Sequence, residues 1–352
     1  MNLYVHFPFC RSKCRYCALY SRVGVAAADR DAYVKGLAAT LSNGVCPPNG
    51  RGEISPNPSG GFEQFSTVYF GGGSPALCDL GPIFDALKPF LTSETEFTVE
   101  LHPLDVTDDL LLRLRDGGVN RISMGVQSLD DATLAAMGRG YTAADAARAF
   151  AKVRRVFDNA GTDLIVGYPG DPCDGYSALR NWGQTHVSVY SLQNERGLKG
   201  VPSDDWVLDR IRDVATFLKS IGLDRYEISN YAAPGFECRH NLAVWRGEDY
   251  IGLGEGAYGR VGLRRTRNFG VCPQGGRGLS PAVEEVTPER DEVERRIFRL
   301  RTREGLDAAG HPEWGQALAA HVQNGLLTRE GEIYRLTSRG AEVCDTILAD
   351  LV

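Results

Sequence analysis

No stretch of this chain is apolar for long enough to span a bilayer, and no basic leader followed by an apolar run marks a secretory signal. Basic residues are not in excess. The 39 Lys and Arg stand against 45 Asp and Glu, a net charge of -6, so nucleic acid is not an expected partner. Nine cysteines in 352 residues are too few for a disulfide scaffold. A Walker or dinucleotide fingerprint is also missing, because the glycine run at 71–73 lacks both the spacing and the lysine. These absences leave a cytoplasmic globular protein as the expectation. Its 43% apolar and 24% charged content suits a large core or two domains.

What is present begins with Cys10, Cys14 and Cys17, in a loop after the extended apolar run Leu3 to Phe7. Three thiolates suit three irons of a [4Fe-4S] cluster and leave the fourth iron open to a small chelating molecule. A zinc loop is the other reading. Structural zinc wants four ligands, and His6 belongs to the strand and is expected to point away from the loop. Cys46, Cys78, Cys173, Cys272 and Cys344 are scattered singly and read as ordinary thiols. Cys238 lies near His240 and is set apart.

Further along, strands and helices alternate. Ser66 to Phe70 reads as a strand running into Gly71-Gly72-Gly73-Ser74-Pro75, and Leu80 to Leu91 as a helix. Strands are expected at Phe97 to Leu101, Arg121 to Met124, Thr162 to Val166 and His186 to Leu192. Helices are expected near Ala27 to Leu41, Thr107 to Asp116, Asp130 to Met137, Ala143 to Phe157, Gly175 to Trp182 and Trp206 to Ile221. The stretch Asn43 to Gly61, rich in Gly, Pro, Asn and Ser, reads as a surface loop. Six strand–loop–helix units argue for an α/β fold with a parallel sheet and helices outside it, short of a full eight-stranded barrel. Glu100, Gln127, Asp163 and glycines 71–73 gather at strand ends, where barrels place their working face.

The segment from Tyr226 to Tyr258 reads as a loop of aromatics, amides, glycines and His240. It suits either a flat organic ligand or a packing role with His240 as a hydrogen-bonding strut. Arg264, Arg265 and Arg267 read as a solvated patch able to attract propionate or phosphate groups. From residue 285 a pattern of helix, helix, strand and helix suggests a small winged-helix-like module serving as a cover or partner surface. The expected division is 1–200, 201–284 and 285–352.

These motifs resemble the radical S-adenosylmethionine (radical SAM) family. More narrowly, they resemble the branch holding oxygen-independent coproporphyrinogen III oxidase and the HemW-like haem chaperones. The resemblance rests on the first strand with its three cysteines, on Gly71-Gly72-Gly73-Ser74-Pro75, on Asn120 to Ser128, and on Tyr226 to Tyr231 with Pro234 to Tyr250. It implies a partial (βα)6 radical SAM barrel with extra C-terminal elements. It implies a [4Fe-4S] cluster on Cys10, Cys14 and Cys17, with S-adenosylmethionine on the open iron. Gly72 and Gly73 would face its methionine part, Glu100, Gln127, Arg139 and Asp163 would surround the cofactor, and Tyr4 and Tyr16 would line the cluster site.

Within the branch, the oxidase carries a leader before the first strand and a further cysteine where this chain has Leu19. His240-Asn241-Leu242-Ala243-Val244-Trp245 resembles the chaperone signature, which implies His240 as a haem-iron ligand. Val244, Tyr258 and His102 depart from the usual residues. The implied function is a haem chaperone that delivers haem to an acceptor, for example a membrane-associated respiratory enzyme, with flavodoxin or ferredoxin as electron donor. The alternative is a radical SAM enzyme acting on a tetrapyrrole, by oxidation or methyl transfer.

Overall fold

Alternation along the strands decides the architecture. In Asn2-Leu-Tyr-Val-His-Phe7 the odd positions are apolar and the even ones polar, so one face of the strand suits a hydrophobic core and the other suits water or ligand. The same pattern recurs in the strands that follow. A computed structural model describes residues 1–42, 64–268 and 282–352. The surface loop expected over 43–61, together with Cys46 and Cys272, lies outside the described residues.

Six parallel strands form the centre in sequence order: β1 (Asn2–Phe7), β2 (Thr67–Gly72), β3 (Glu96–Leu101), β4 (Arg121–Gln127), β5 (Asn159–Val166) and β6 (His186–Ser191). Helices connect them and cover the outer face: α1 (Ala27–Ser42), α2 (Gly81–Leu87), α3 (Asp108–Asp116), α4 (Asp131–Met137) and α5 (Ala143–Val156). Side-chain caps start several of these helices. Thr107 accepts from the Leu110 amide, Asp130 from that of Thr133, and Thr142 forms a capping box with Asp145. The outward residues Leu3, Val5, Val68, Phe70, Phe97 and Val99 are fully buried against this helical layer. The expected six-unit α/β arrangement is therefore present.

The sheet continues on both sides. After α6 (Asp204–Ser220), β7 (Asn230–Ala232) joins β6 antiparallel. On the other flank β8 (Tyr250–Leu253) lies parallel to β1, and β9 (Tyr258–Val261), β10 (Arg264–Arg267) and β11 (Ala282–Glu285) extend the sheet antiparallel. The segment expected as a loop is thus largely built into the sheet. Within it α7 (Arg239–Trp245) is a helix, because the carboxylate of Glu96 on β3 accepts from the Arg239 and His240 amides and satisfies its N-terminus. The stretch expected as a helix from Gly175 is a 3-10 segment, Gly175–Asn181.

The last part of the chain has a hydrophobic cluster of its own around Leu300, Leu306, Leu318 and Ile347. It contains α8 (Pro288–Arg299), α9 (Gly315–Gln323) and a three-stranded sheet of Leu306–Asp307, Leu327–Glu330 and Ile333–Leu336. Only the third of these strands was expected. The hairpin turns at Gly331, whose φ of +61° suits a residue without Cβ. Asp291 on α8 ties this part to the sheet by pairing with Arg260 at 2.7 Å and Arg265 at 2.6 Å. Among the described residues no helix is long and apolar enough to cross a membrane.

Candidate functional site

The inner faces of the strands carry polar residues at every level. At the mouth, where the strands end, His6, Gly71, Glu100 and Ser123 share one level, with the pair Gly125 and Asp163 beyond it. Tyr4, Tyr69, Thr98 and Arg121 form the next level, and Asn2, Thr67 and Glu96 the floor. Contacts across the strands show that these residues share one face. Thr67 Oγ1 donates to Asn2 Oδ1 (2.9 Å), Tyr69 OH to Glu100 Oε1 (2.9 Å), and Ser123 Oγ to Asp163 Oδ1 (3.1 Å).

The cysteine loop sits on the mouth. Cys10, Cys14 and Cys17 are free and half-buried. The Cys17 amide donates to the Cys14 carbonyl (3.2 Å), and Arg15 N to the Met137 carbonyl (3.1 Å), which seats the loop against the end of α4. Burial and the neighbouring Cys17 and Cys14 raise the Cys10 thiol, against a lowering contact from Ser21. Arg139 Nη1 lies 3.3 Å from Cys14 Sγ and 3.5 Å from the Tyr16 hydroxyl, while Nη2 donates to the Gly125 carbonyl (2.7 Å). The guanidinium places a positive charge beside the Cys14 sulfur. Among the described residues no three His, Cys, Asp or Glu side chains form a group that could hold a single metal ion. In a cluster each thiolate would bond a different iron. The donor set of three free thiols on one loop, with a cation beside one of them, fits that group.

Each of the three glycines has its own neighbour. A Cβ on Gly71 would stand 3.0 Å from Glu100 Cδ and Tyr69 Cε1. One on Gly72, whose φ is +106°, would stand 2.6 Å from the His6 ring. One on Gly73 would stand 2.3 Å from the Phe9 carbonyl oxygen and 2.9 Å from Cys10 Sγ. The glycine run is therefore the surface on which the cysteine loop rests. His6 is part of that support, with Nδ1 3.0 Å from Tyr4 OH and Nε2 2.9 Å from the Tyr20 carbonyl.

Glu100 takes the Gly72 amide on Oε2 (3.0 Å). Burial and the nearby charge of Asp163 push its carboxyl up to about 7, although Tyr69, Gly72 and Arg121 pull it down. Burial also raises Asp163, opposed by bonds from Ser188 and Ser123. Gln127 follows a bulge at the end of β4 and has φ of +73°, a strained setting for a residue with a side chain. His102 caps the 3-10 turn Pro103–Asp105 and stands edge-on to Tyr141, with its imidazole lowered to about 3 by burial, Arg139 and Arg11. Sequence reasoning missed Asp105, which accepts from Arg11 and from Ser74 (both 2.5 Å) and so links the cysteine loop to the glycine loop. It also missed Tyr69, whose only signal was its place two residues before the glycines.

His240 lies apart from the cysteines, at the floor. It is 5% exposed, its Nδ1 is 2.7 Å from Thr67 Oγ1, and its ring is 5.1 Å from that of Tyr69. Burial and Arg121 lower its imidazole to about 3, so it is neutral. Cys238 is fully buried beside Glu96, its thiol pushed up to about 12 by burial. Trp245 at the far end of α7 donates to Glu227 (3.1 Å). Tyr258 is 55% exposed and faces Arg267, its cross-strand neighbour.

Residues 60–175 match the model of the Radical SAM superfamily. The haem chaperone HemW of Escherichia coli is 34% identical over 74% of this chain and 70% of its own. That of Mycobacterium tuberculosis is 29% identical over 100% of this chain and 94% of its own, and that of Lactococcus lactis 28% over 98% and 96%. The solved structure of coproporphyrinogen III oxidase (HemN) from Escherichia coli has the same fold, with a TM-score of 0.79 over 99% of this chain and 89% of its own at 20% identity. With a polar-lumened parallel barrel, a three-cysteine loop resting on three glycines, and relatives along its whole length, the chain belongs to the HemW-like branch of the radical SAM superfamily.

Proposed function

We propose that this protein binds haem and passes it to an acceptor protein, and that it carries a [4Fe-4S] cluster with S-adenosylmethionine at the barrel mouth. The observation that carries the reading is whole-length similarity to haem chaperones combined with the intact mouth. Cys10, Cys14 and Cys17 would hold the cluster, which supplies an electron for reductive cleavage of S-adenosylmethionine. Gly72 and Gly73 let the His6 ring and the Phe9 carbonyl pack directly on their backbone, and Gly73 stands against the Cys10 sulfur, so the run would set the cysteine loop beside the methionine part of the cofactor. Glu100 and Asp163 offer negative charge to a cofactor bearing an ammonium and a sulfonium. Arg139, 3.3 Å from the Cys14 sulfur, is placed to meet a carboxylate. Tyr4 and Tyr16 with their neighbours restrict water at this level. The electron would come from a flavodoxin or ferredoxin, and the acceptor would be a haem-requiring protein such as a membrane respiratory enzyme.

His240 is the haem-iron ligand in this reading. As a buried neutral imidazole it is already in the ligating form. It must leave Thr67 and turn outward with the start of α7 before a macrocycle can reach it. Anaerobic reconstitution followed by haem titration of the wild type and His240→Ala tests this. The wild type should show a saturable one-to-one haem band that the variant loses. Equal binding by both removes His240 as the ligand. The second reading, an enzyme acting on a tetrapyrrole, is favoured by a mouth that keeps a carboxyl poised near neutrality at Glu100. Product analysis under strong reductant separates the two, since a stoichiometric oxidised or methylated tetrapyrrole appears only in the second.

A further inference from the structure

Tyr69 is used by neither the cluster nor haem in the reading above, yet it touches both ends of the lumen. Its side chain points inward from β2, level with Tyr4 on β1, which it approaches to 6.1 Å between ring centroids. Its hydroxyl donates to Glu100 Oε1 at the mouth, and its ring packs at 33° and 5.1 Å on the His240 ring at the floor. His240 is in turn fixed by Thr67, two residues before Tyr69 on the same strand. Gly71 supplies an independent observation. A Cβ there would press on Glu100 and on Tyr69 at once, so the first glycine of the run leaves space for this pair to close.

We infer that Tyr69 is a positioning residue that couples α7 to the cofactor site, so that withdrawal of His240 from the floor weakens the hold of Glu100 at the mouth. The coupling needs no long path. Three side chains in contact span the lumen, and each bond is directional or shape-dependent. Release of His240 removes the packing on one face of the Tyr69 ring. The hydroxyl then loses its fixed aim at Glu100 Oε1. Linkage makes the effect reciprocal: a cofactor that prefers the ionised, Tyr69-bound carboxylate holds His240 in place, and a ligand that draws His240 out lowers affinity for that cofactor. Haem loading and S-adenosylmethionine binding would then oppose one another in a single chain.

The contact from His240 through Tyr69 to Glu100 stands on geometry alone; its effect on S-adenosylmethionine rests on the cofactor reading of the mouth, and its opposition to haem on the haem reading of α7. Groups facing Glu100 are Tyr69 and the Gly72 amide from β2, Asp163 from β5 and Arg121 from β4. Of these Tyr69 packs on His240, while the Arg121 charge acts on both Glu100 and His240 without being held by either. Loss of its donated bond disfavours the ionised carboxylate, so Glu100 should hold its proton to a higher pH.

Two measurements test this on the full chain. In cluster-free protein, the infrared carboxyl band assigned to Glu100 by its loss in Glu100→Gln should titrate at higher pH in Tyr69→Phe. It should move the same way, by less, in His240→Ala and Thr67→Val, the second of which keeps the imidazole and guards against misfolding of α7. In cluster-loaded protein, calorimetric titration with S-adenosylmethionine should show about a fivefold weaker Kd at pH 7 in Tyr69→Phe, the size of one ordinary net hydrogen bond. Addition of His240→Ala to Tyr69→Phe should cost nothing further. A carboxyl midpoint that ignores His240→Ala and Thr67→Val, or additive losses in the double variant, overturns the coupling. A midpoint that moves as expected while the Kd does not leaves the coupling standing and overturns the cofactor reading of the mouth.

Discussion

The hydroxyl of Thr67 lies 2.7 Å from Nδ1 of His240 and 2.9 Å from Asn2 Oδ1, so one side chain locks α7 onto the first two strands of the barrel. Removal of this buried strut has a defined cost. His240→Ala deletes a buried ring and leaves the Thr67 hydroxyl without its partner, and should destabilise the chain by about 2–4 kcal/mol in urea unfolding. Thr67→Val should cost about 1–2 kcal/mol. A His240→Ala midpoint equal to that of the wild type contradicts the buried strut.

Glu100 carries a pH signature of opposite sign to most carboxylates. Its carboxyl is raised from 4.5 to about 7 in the folded protein. Between those values the folded state binds more protons than the unfolded one, so its contribution falls as pH rises from 4.5 through 7 and is flat above. Urea titrations of wild type and Glu100→Gln at pH 5 and pH 8 should therefore differ in slope. The wild type should lose roughly 2 kcal/mol more than the variant over that interval. Parallel pH profiles are the contrary result.

Gly73→Ala separates loop position from overall fold. The added methyl meets the Phe9 carbonyl and Cys10 Sγ, neither of which is the free end of a flexible chain. Far-UV circular dichroism should stay close to that of the wild type. Iron and sulfide per chain after reconstitution should fall severalfold. Wild-type iron content in the variant would show that the cysteine loop does not need this seat.

Asp291 is the point at which α8 is joined to the sheet. Burial opposes its ionisation, but Arg295, Arg265 and Arg260 hold it down to about 2. Its stabilising contribution is thus complete above the ordinary carboxylate range and is lost only as pH falls toward 2. Asp291→Ala leaves the buried Arg260 without its counter-charge and should cost about 3–5 kcal/mol. Limited proteolysis should then release the part after residue 285 faster than in the wild type.

The six parallel units were legible because each strand is followed by a turn signal and a helical period, and local rules govern both. The three-cysteine loop and the glycines were legible as motifs. The placement of α7 was not. Its helix begins on a carboxylate contributed by Glu96, over 140 positions earlier, and no local pattern announces such a cap. Tyr69 and Asp105 were missed for the same reason, since each matters through partners distant in sequence. The hairpin at Leu327–Glu330 and Ile333–Leu336 was half seen, because the exposed first strand lacks an apolar alternation.

The three adjacent glycines answer to three unrelated neighbours: a carboxylate with a phenol, an imidazole, and a backbone carbonyl with a sulfur. In evolutionary terms this run cannot drift by one compensating change. A side chain at 71 asks for shorter residues at both 100 and 69, one at 73 for a displaced loop at 9 and 10, and one at 72 meets a backbone at φ +106° that no change at 6 relieves. A relative that has lost the first or third glycine should therefore carry its own distinct second substitutions, and the middle glycine should be the last of the three to be lost.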